Sequence, residues 1–358
     1  MNSWTSHRDK ILQEEIPSDP YFKSIYDFAI AWLSGRKTFT ITTSGSTGTP
    51  KEIVLSRTQM IASARLTGQV LNLLEGTYAL VCLNVNYIAG MMMLVRGLEL
   101  GWLITTVKPG SNPLLDVPEE ASFDFVALVP MQMSAILQDA QTHGRVGVFG
   151  KILLGGAAVS EVLLQEIQAL GVPVYQSYGM TETVSHVALR RLNGDESQED
   201  YQVMPGIEFG VDERSCLYIC GAVTDNRIIQ TNDLVEITSS NSFRWLGRAD
   251  SVINSGGVKI SLDKLDQMVG KILQEMNATT DYFSWHEPDE KLGQKLVLFL
   301  EEKAAFLNTE ILLSKISDRV KRYEIPKAIY FAEQFKRTPT AKIDKKATAQ
   351  NYLKTPND

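Results

Sequence analysis

The sequence predicts an α/β protein: a large domain with a doubly wound, mostly parallel sheet and a β-rich subdomain, followed by a small α+β domain. Three features lead to this prediction. Strand-like and helix-like segments alternate from residue 38 to residue 175, strand-rich and turn-rich sequence fills residues 201–247, and the pattern changes again after Arg248. The length of 358 residues also exceeds what one hydrophobic core usually supports, so two domains are expected.

The first region alternates short apolar or β-branched runs with helical patterns. Helix Ile88–Leu100 has a clear end, because Gly101 suits the left-handed conformation that often follows a helix. Further helices are expected after Ser56, after Pro130 and from Ser160 to Leu170. This alternation predicts a parallel sheet with helices on both faces, which binds ligands at the carboxyl ends of its strands. The predicted strands are Thr38–Thr42, Glu52–Leu55, Tyr78–Leu83, Trp102–Val107, Phe125–Val129, Ile152–Leu154 and Val172–Tyr175.

The second and third regions have different patterns. Residues 201–247 hold four strand-like runs separated by turns, which favours an antiparallel barrel or sheet. The third region begins with an amphipathic helix from Ser261 to Met276, as expected for a helix that packs on a small sheet. The remaining elements of this predicted domain are a hairpin of Tyr282–Trp285 and Lys295–Leu300, a helix around Ile311–Val320 and a strand at Ala328–Phe331.

Composition and charge exclude some classes of function. The chain is 44% hydrophobic and 22% charged, which is ordinary for a globular protein. Its net charge of −7 argues against nucleic-acid binding, which normally needs a basic surface. Residues 251–358 carry 17 Lys or Arg and 15 Asp or Glu, a net of +2, whereas residues 1–250 carry 18 and 27, a net of −9. This difference supports a separate C-terminal unit.

The sequence also favours a cytoplasmic location. The first residues lack the basic segment and apolar run of a signal peptide. The most apolar stretch, Ala79–Val95, contains Asn84 and Asn86 and is too short and polar for a convincing membrane span, so no integral membrane contact is expected. Cys216 and Cys220 lie on one side of a strand-like run, where buried thiols are more common than a metal site.

A Ser/Thr/Gly loop between two β-branched runs is the first candidate site. Its exposed N–H groups and hydroxyls suit phosphate oxygens, and a lysine adds a positive charge. A linker or hairpin turn is the alternative. The spacing of the common P-loop is excluded, because Pro50 takes the place of the glycine before the lysine. The candidate phosphate-binding residues are Thr43, Ser44, Gly45, Ser46, Thr47, Gly48 and Lys51.

Four further side chains fit nucleotide chemistry. Glu182, a single carboxylate beside the Thr181 hydroxyl, suits a Mg²⁺ ion that bridges phosphates, although a solvated helix-capping Glu is the alternative. Asp233 could accept both ribose hydroxyls or could be an ordinary turn residue. Arg248 offers a fork of donors to ribose or phosphate. Lys342 lies in a Pro-bounded loop and could stabilise charge developing at an α-phosphate, or could be a surface lysine.

Five segments in order resemble the signatures of the adenylate-forming superfamily, which includes acyl-CoA synthetases, luciferases and peptide-synthetase adenylation domains. One departure occurs in the ribose signature, where Asn232 replaces the usual glycine. The segments span residues 42–345, which makes the resemblance highly specific. They are the Ser/Thr/Gly loop, Tyr178-Gly179-Met180-Thr181-Glu182-Thr183, Thr231-Asn232-Asp233, Gly247-Arg248-Ala249-Asp250 with Asn254–Ile260, and Pro339-Thr340-Ala341-Lys342-Ile343-Asp344.

The resemblance implies a two-step reaction that uses ATP, Mg²⁺ and CoA. An acid attacks the α-phosphate to give an acyl-adenylate, and a thiol then displaces AMP. It implies a domain of residues 1–247, a hinge at 248–250 that turns about Asp250, and a lid domain of residues 251–358 carrying Lys342. Lys342, Thr181, Glu182 and Arg248 are the implied catalytic residues. The other implied nucleotide- and thiol-site residues are Gly155, Gly156, Ala157, Ser177, Tyr178, Gly179, Asp233, Gly256, Gly257 and Lys259.

Three segments carry a narrower resemblance: Ala127–Gln132, Ile152–Ala157 and Ser177–Thr183, together with the pattern from Tyr87 to Arg96. They are most similar to the o-succinylbenzoate–CoA ligases of menaquinone biosynthesis, although the chain has a short N-terminus. That family often has His-Ile-Ser-Gly where Tyr87 and Ala89 here replace His and Ser. The resemblance implies a small carboxylic acid as substrate, and Arg96 is the candidate for a second carboxylate unless it is a solvated helix residue. A solvated or capping role is likewise the alternative for His186. The candidate acid-site residues are Tyr87, Gly90, Arg96 and His186.

Two other functions remain open on the sequence, and the chain could be a monomer or a homodimer. One is a different enzyme of the same chemistry, either another aryl- or acyl-CoA synthetase or an adenylating enzyme that passes its acyl group to a carrier-protein thiol. The other is a degenerate nucleotide-binding protein without catalysis, which the short N-terminus and Asn232 would allow. The presence of Thr181, Glu182, Asp233 and Lys342 argues against that second alternative.

Overall fold

The computed structural model describes residues 3–43, 51–278, 280–301, 307–338 and 343–354. Its main sheet has twelve strands in the order β1-β5-β4-β6-β7-β8-β9-β10-β14-β13-β12-β11. The strands of this sheet are β1 (Ser3–His7), β4 (Tyr78–Val81), β5 (Leu103–Val107), β6 (Phe123–Leu128), β7 (Phe149–Leu154), β8 (Val174–Gly179), β9 (His186–Arg191), β10 (Tyr201–Val203), β11 (Glu208–Val211), β12 (Cys216–Cys220), β13 (Ile229–Ser239) and β14 (Ser242–Arg248).

The centre of the sheet is parallel, as the alternating pattern predicts. Strands β5, β4, β6, β7 and β8 pair in parallel, and β1 adds an antiparallel edge. From β9 onward every pairing is antiparallel, so the β-rich subdomain continues the same sheet. The predicted fold class is confirmed.

Helices cover both faces of the parallel part, and the alternation of side chains along each strand explains how. In β4, Ala79 and Val81 face a core built with α1 (Pro20–Leu33), α2 (Arg57–Val70) and α3 (Ile88–Leu100). Leu80 faces the opposite core, built with α4 (Pro130–Gln138) and α5 (Glu161–Gln168). Since neighbouring side chains of a strand point to opposite faces, each inner strand supplies both cores.

The two strands that flank the Ser/Thr/Gly loop are not part of the parallel sheet, so the expectation that Thr38–Thr42 and Glu52–Leu55 belong to that sheet is wrong. Strands β2 (Thr38–Thr43) and β3 (Lys51–Ser56) pair only with each other among the described residues, in an antiparallel hairpin with Thr43 opposite Lys51. The hairpin packs through Phe39, Ile41 and Leu55 against the core that contains α1. Residues 44–50, between the two strands in sequence, lie outside the described residues.

The C-terminal region forms the predicted small α+β domain. Its sheet has the order β16-β15-β18-β17, with β19 parallel to β18. Helix α6 packs Leu265, Val269 and Ile272 into the core of this domain. Its elements are β15 (Val252–Ser255), β16 (Val258–Ser261), α6 (Leu262–Glu275), β17 (Tyr282–Asp289), β18 (Gly293–Glu301), α7 (Thr309–Ser317), β19 (Ile329–Ala332) and α8 (Lys345–Lys354).

Two sequence expectations about apolar residues can be compared with the structure. None of the described helices has the length and apolar character needed to cross a membrane. The three cysteines are free thiols, with Cys82 and Cys216 buried and Cys220 half-buried. The expectation of a buried thiol is therefore confirmed for Cys216 and only partly met for Cys220.

Candidate active site

The turn after β8 carries Thr181 and Glu182, and close packing of the backbone fixes its path. A Cβ atom at Gly179 would lie 2.2 Å from the carbonyl oxygen of Ser185, so only glycine fits there. The Thr183 hydroxyl accepts a hydrogen bond from the Met180 N–H at 3.0 Å and lies 2.8 Å from the Ser185 carbonyl. These contacts hold residues 181–183 as one short turn between β8 and β9.

Glu182 has the environment expected of a Mg²⁺ ligand. The residue is half-buried, and no described side chain or N–H group occupies its carboxylate. The described residues contain no group of three or more His, Cys, Asp and Glu side chains that could hold a metal by themselves. One free carboxylate beside the Thr181 hydroxyl therefore fits a Mg²⁺ ion that takes its other ligands from phosphates and water.

Asp233 on β13 is buried and held in place by two aromatic side chains. Its Oδ2 accepts a hydrogen bond of 2.6 Å from the Tyr178 hydroxyl, and its Oδ1 accepts one of 3.3 Å from Trp245 Nε1. Burial and the negative charge of Asp233 raise the pKa of Tyr178, so its hydroxyl remains a donor. Carboxylate oxygens have further lone pairs. Asp233 can therefore still accept hydrogen bonds from a ligand.

Arg248 closes this side of the site. Its guanidinium forms two hydrogen bonds, of 2.8 and 2.7 Å, with the two oxygens of Asp250, and Nη1 lies 3.6 Å from Asp233 Oδ1. The hydrogen bonds to Arg248 lower the pKa of Asp250 and raise the pKa of Arg248. Asn232, the departure in the ribose signature, also hydrogen-bonds Asp250 and contributes to its lowered pKa. The structure thus joins Asp233, Arg248 and the predicted hinge residue in one cluster.

The ends of β7 and β8 bring two further predicted segments together. The Ser177 hydroxyl donates to the Leu154 carbonyl at 2.9 Å, and a Cβ atom at Gly155 would lie 2.7 Å from the Ser177 oxygen. Gly156 has a φ of +82°, which favours glycine. Gly155, Gly156 and Ser177 therefore meet at the carboxyl edge of the parallel sheet, where this fold class binds its ligands.

A second polar cluster surrounds Arg96 on α3. Arg96 is only 2% exposed, and its guanidinium donates to Thr67 Oγ1 at 3.2 Å and to Ser185 Oγ at 2.5 Å. His186 is also buried; its Nε2 lies 3.2 Å from Thr67 Oγ1 and its Nδ1 3.1 Å from Ser185 Oγ. No described carboxylate pairs with Arg96. The solvated alternatives for Arg96 and His186 are therefore wrong.

The charges of this cluster follow from burial. Burial lowers the pKa of Arg96 to about 10, so the guanidinium is still charged at neutral pH. Burial, with a smaller effect of the Arg96 charge, lowers the pKa of His186 well below its usual value, so the imidazole is neutral. The cluster thus combines one buried positive charge with hydroxyls and a neutral ring. The sequence analysis did not indicate Thr67 or Ser185, although Ser185 comes only two residues after the signature that ends at Thr183.

The beginning of α3 places the other two acid-site candidates. Tyr87 is the residue before the helix, and it makes no side-chain cap. A Cβ atom at Gly90 would lie 2.4 Å from the Asn84 carbonyl oxygen, so Gly90 allows the helix to pack closely on that loop. The described contacts give Gly90 a packing role. A role for either residue in binding an acid remains a prediction.

The remaining predicted residues lie in the small domain, in the β2–β3 hairpin or outside the described residues, except Ala157, which is exposed in the loop after β7. Gly256 and Gly257, with φ of +58° and +85°, form the turn between β15 and β16, and Lys259 is exposed on β16. Lys342 lies outside the described residues, as do Ser44, Gly45, Ser46, Thr47 and Gly48. For Thr43 and Lys51 the structure gives the strand pairing described above. Their roles remain predictions.

Comparison with known proteins supports the resemblance. A family model for AMP-binding enzymes matches residues 28–213. An acyl-CoA synthetase (AMP-forming)/AMP-acid ligase II-like protein from Dyadobacter fermentans is 54% identical, with 98% of this chain and 99% of that chain covered and a TM-score of 0.68. The 2-succinylbenzoate–CoA ligase of Enterococcus faecalis is 26% identical in an alignment that covers 85% of this chain and 67% of that protein.

A further solved structure shares the fold. The o-succinylbenzoate coenzyme A synthetase of Bacillus subtilis, in complex with ATP and magnesium ion, is 20% identical and has a TM-score of 0.71. The match covers 87% of this chain and 69% of that chain. The family model alone spans more than half of the 358 residues. The chain therefore belongs to the family of AMP-binding enzymes, within the adenylate-forming superfamily.

Proposed function

We propose that the chain is an ATP-dependent acid–CoA ligase that converts o-succinylbenzoate, ATP and CoA into o-succinylbenzoyl-CoA, AMP and pyrophosphate. The observation that carries the proposal is the buried cation Arg96, which pairs with no carboxylate of the described residues and lies close to the turn that holds Glu182. Curated relatives that match at 23–26% identity are 2-succinylbenzoate–CoA ligases, which supports the choice of acid.

The proposed substrate suits the charge of the Arg96 cluster. A buried charge without a partner is costly, and a carboxylate that enters the cluster removes this cost by pairing with it. o-Succinylbenzoate has two carboxylates, so one can pair with Arg96 while the other is activated. Ser185 and Thr67, which already hydrogen-bond Arg96, can donate to the same carboxylate if their hydroxyls rotate. A monocarboxylic acid would leave the cation unpaired.

The proposed reaction assigns the other groups. The free carboxylate oxygen attacks the α-phosphorus of ATP, the bond from that phosphorus to the pyrophosphate oxygen breaks, and pyrophosphate leaves with the electron pair. Glu182 and Thr181 would hold Mg²⁺, which neutralises phosphate charge when bound. Asp233 would accept the ribose hydroxyls, and Arg248 and Lys342 would stabilise negative charge around the α-phosphate.

The second step transfers the acyl group. The CoA sulfur attacks the acyl carbon, the bond between that carbon and the phosphate oxygen breaks, and AMP leaves; the thiol proton passes to water. By the same proposal, residues 251–358 turn about Asp250 between the steps, so that Lys342 serves the first step and the turn containing Gly256 and Gly257 serves the second.

A pair of acids tests the substrate. 3-Benzoylpropionate has the ring and the acyl chain of o-succinylbenzoate but lacks the ring carboxylate. We expect AMP release with ATP, Mg²⁺ and CoA to be at least ~100-fold more efficient, in kcat/KM, with the diacid, because an unpaired buried charge costs a few kcal/mol. Equal efficiency with the two acids, or turnover with other acids only, would contradict the proposed substrate.

Assays with and without CoA distinguish the proposed function from the carrier-protein and non-catalytic alternatives. Acyl-adenylate formation that CoA does not discharge would favour transfer to a carrier-protein thiol. ATP binding without pyrophosphate exchange for any acid would favour a non-catalytic nucleotide-binding protein.

A further inference from the structure

We infer that Asp263 is a positioning residue that stabilises one orientation of the small domain and so favours one of the two half-reactions. The inference rests on the proposed function and on the predicted hinge at residues 248–250. Its basis is a hydrogen bond of 2.8 Å from the Arg248 backbone N–H to Asp263 Oδ2. Arg248 ends β14 of the large sheet, whereas Asp263 lies in the first turn of α6 in the small domain.

This hydrogen bond crosses the hinge and depends on the orientation of the two domains. A rotation about Asp250 moves α6 relative to β14, and a hydrogen bond tolerates a change of only a few tenths of an ångström. The bond can therefore exist in the orientation seen here but not after a large rotation. A group that interacts with only one of two states shifts the equilibrium toward that state.

Gly247 makes the contact possible. Its φ is +136°, and a Cβ atom there would lie 3.1 Å from the Asp263 Cβ. A side chain at position 247 would therefore both strain the backbone and push α6 away from the end of β14. The Asp263 carboxylate can approach the end of β14 because residue 247 has no side chain.

Asp263 also connects the hinge to the segment that follows Lys342. The Lys345 amine lies 2.7 Å from Asp266 Oδ2 and 3.8 Å from Asp263 Oδ1, between two carboxylates that are one helical turn apart. Burial alone would lower the pKa of Lys345, but the Asp266 carboxylate raises it, so the amine stays charged. Lys345 is the first residue of α8. The residue before it, Asp344, donates a hydrogen bond from its backbone N–H to the Lys336 carbonyl.

These contacts give Asp263 two partners with different roles. The backbone N–H of Arg248 belongs to the large domain, and the amine of Lys345 belongs to the segment next to the predicted catalytic lysine. Asp266, in contrast, has both of its partners, Lys345 and the Ser284 N–H, in the small domain. Of the two carboxylates, Asp263 and Asp266, only Asp263 therefore has a described hydrogen-bond partner in the large domain.

The two half-reactions are measured separately in the full chain. Pyrophosphate exchange follows adenylation, and release of AMP from preformed acyl-adenylate with CoA follows thioester formation. We expect Asp263→Ala to slow one half-reaction by about tenfold or more and to change the other less than about threefold, since a hydrogen bond to a charged group is worth one to two orders of magnitude. Equal changes, or none, would overturn the inference.

Two further variants and a control keep this test sharp if Asp263→Ala folds poorly. Asp263→Asn keeps an acceptor oxygen for Arg248, so its ratio of half-reactions should stay close to that of the wild type. Gly247→Ala should impair the same half-reaction as Asp263→Ala, and a different pattern would contradict the inference. Glu275→Gln is the control, because it removes an ion pair with Arg319 at the other end of α6, away from the hinge.

A distance measurement distinguishes failure of the inference from failure of the proposed function. Nitroxide labels at Glu208→Cys and Lys321→Cys, with Cys220→Ser in every sample, report the separation of the domains; both labelled positions are exposed. Asp263→Ala should change the distance distribution even if no acid is found to be adenylated. An unchanged distribution would overturn the inference, whereas absence of pyrophosphate exchange in the wild type would overturn only the proposed function.

Discussion

Replacement of Arg96 by methionine should leave the stability of the protein nearly unchanged, while it removes recognition of the diacid. Burial lowers the pKa of Arg96 from 12.5 to about 10. At about 1.4 kcal/mol per pKa unit, this shift corresponds to roughly 3 kcal/mol by which the charged state is disfavoured in the folded protein. Methionine is apolar and flexible, so it can fill most of the space without that cost.

The loss of the hydrogen bonds made by Arg96 reduces this gain in the free energy of unfolding. Thr67 and Ser185 each lose a donor, and these are hydrogen bonds between a charged group and a hydroxyl. Both hydroxyls keep a neighbour in His186, and Thr67 still donates to the Ser63 carbonyl. At about 1.5 kcal/mol for each lost bond to a charged group, the two losses offset the roughly 3 kcal/mol gained, so the expected change in the free energy of unfolding is within about 1 kcal/mol of zero.

The effect of pH on this comparison has a definite sign. The pKa of Arg96 is lower in the folded protein than in the unfolded chain, so the folded state binds the proton less tightly. The cost of the charge is therefore fully present below pH 10 and disappears only as the pH rises from about 10 toward 12.5. Between pH 6 and pH 8, Arg96 contributes no change to the stability difference between Arg96→Met and the wild type.

The assay combines urea unfolding with the acid comparison. We expect the ratio of kcat/KM for o-succinylbenzoate to that for 3-benzoylpropionate to fall by about 100-fold or more in Arg96→Met. Arg96→Lys should keep part of this preference, because a cation remains. A decrease of more than about 1 kcal/mol in the free energy of unfolding of Arg96→Met would refute the electrostatic reasoning. Unchanged selectivity in a stable Arg96→Met protein would refute the role of Arg96 in binding the acid.

Three further substitutions test the nucleotide side. Lys342→Ala should reduce pyrophosphate exchange by at least ~100-fold and leave thioester formation from preformed acyl-adenylate nearly intact, because Lys342 is assigned to the first step only; equal loss of both contradicts this. Glu182→Gln should slow adenylation by about 100-fold and raise the Mg²⁺ concentration for half-maximal rate, and an unchanged Mg²⁺ dependence argues against a metal ligand. Tyr178→Phe removes the 2.6 Å hydrogen bond to Asp233. The preference for ATP over 2′-deoxy-ATP should therefore fall several-fold. A change in kcat alone would exclude a role of Tyr178 in orienting Asp233 toward the ribose.

The sequence predicted most of the fold because its helices and inner strands carry strong local signals. Helix α3 ends at Gly101 as expected, and Gly101 has a φ of +70°. The sequence does not predict the pairing of the strands that flank the Ser/Thr/Gly loop, because two β-branched strands beside a loop have the same local pattern in a hairpin as in a parallel sheet. Strand pairing depends on distant partners, which a local pattern does not contain.

The candidate site was predictable only where a motif is continuous in sequence. Thr181 and Glu182 stand together in one signature, and the structure places both directly after β8, where neither side chain has a hydrogen-bond partner among the described residues. The contact between Trp245 and Asp233 joins positions twelve residues apart on paired strands, and the cluster around Arg96 joins helices α2 and α3 to the start of β9. Such clusters arise from packing of separate elements. The sequence therefore indicated Arg96 and His186 only through the family resemblance, and it did not indicate Thr67, Ser185 or Trp245.

The backbone between Glu182 and Ser185 explains how the two sides of the site are held together. The Ser185 N–H donates to the Thr183 carbonyl at 2.7 Å, and Val184 between them has φ of +65° and ψ of −51°. This is a γ-turn with positive φ, which is strained for a β-branched residue and persists only where the surroundings enforce it. Val184 is fully buried, so packing of its side chain supplies that constraint. The turn places Ser185, three residues after Glu182, in contact with Arg96. A displacement of the Arg96 cluster should therefore also displace Glu182, and the reverse.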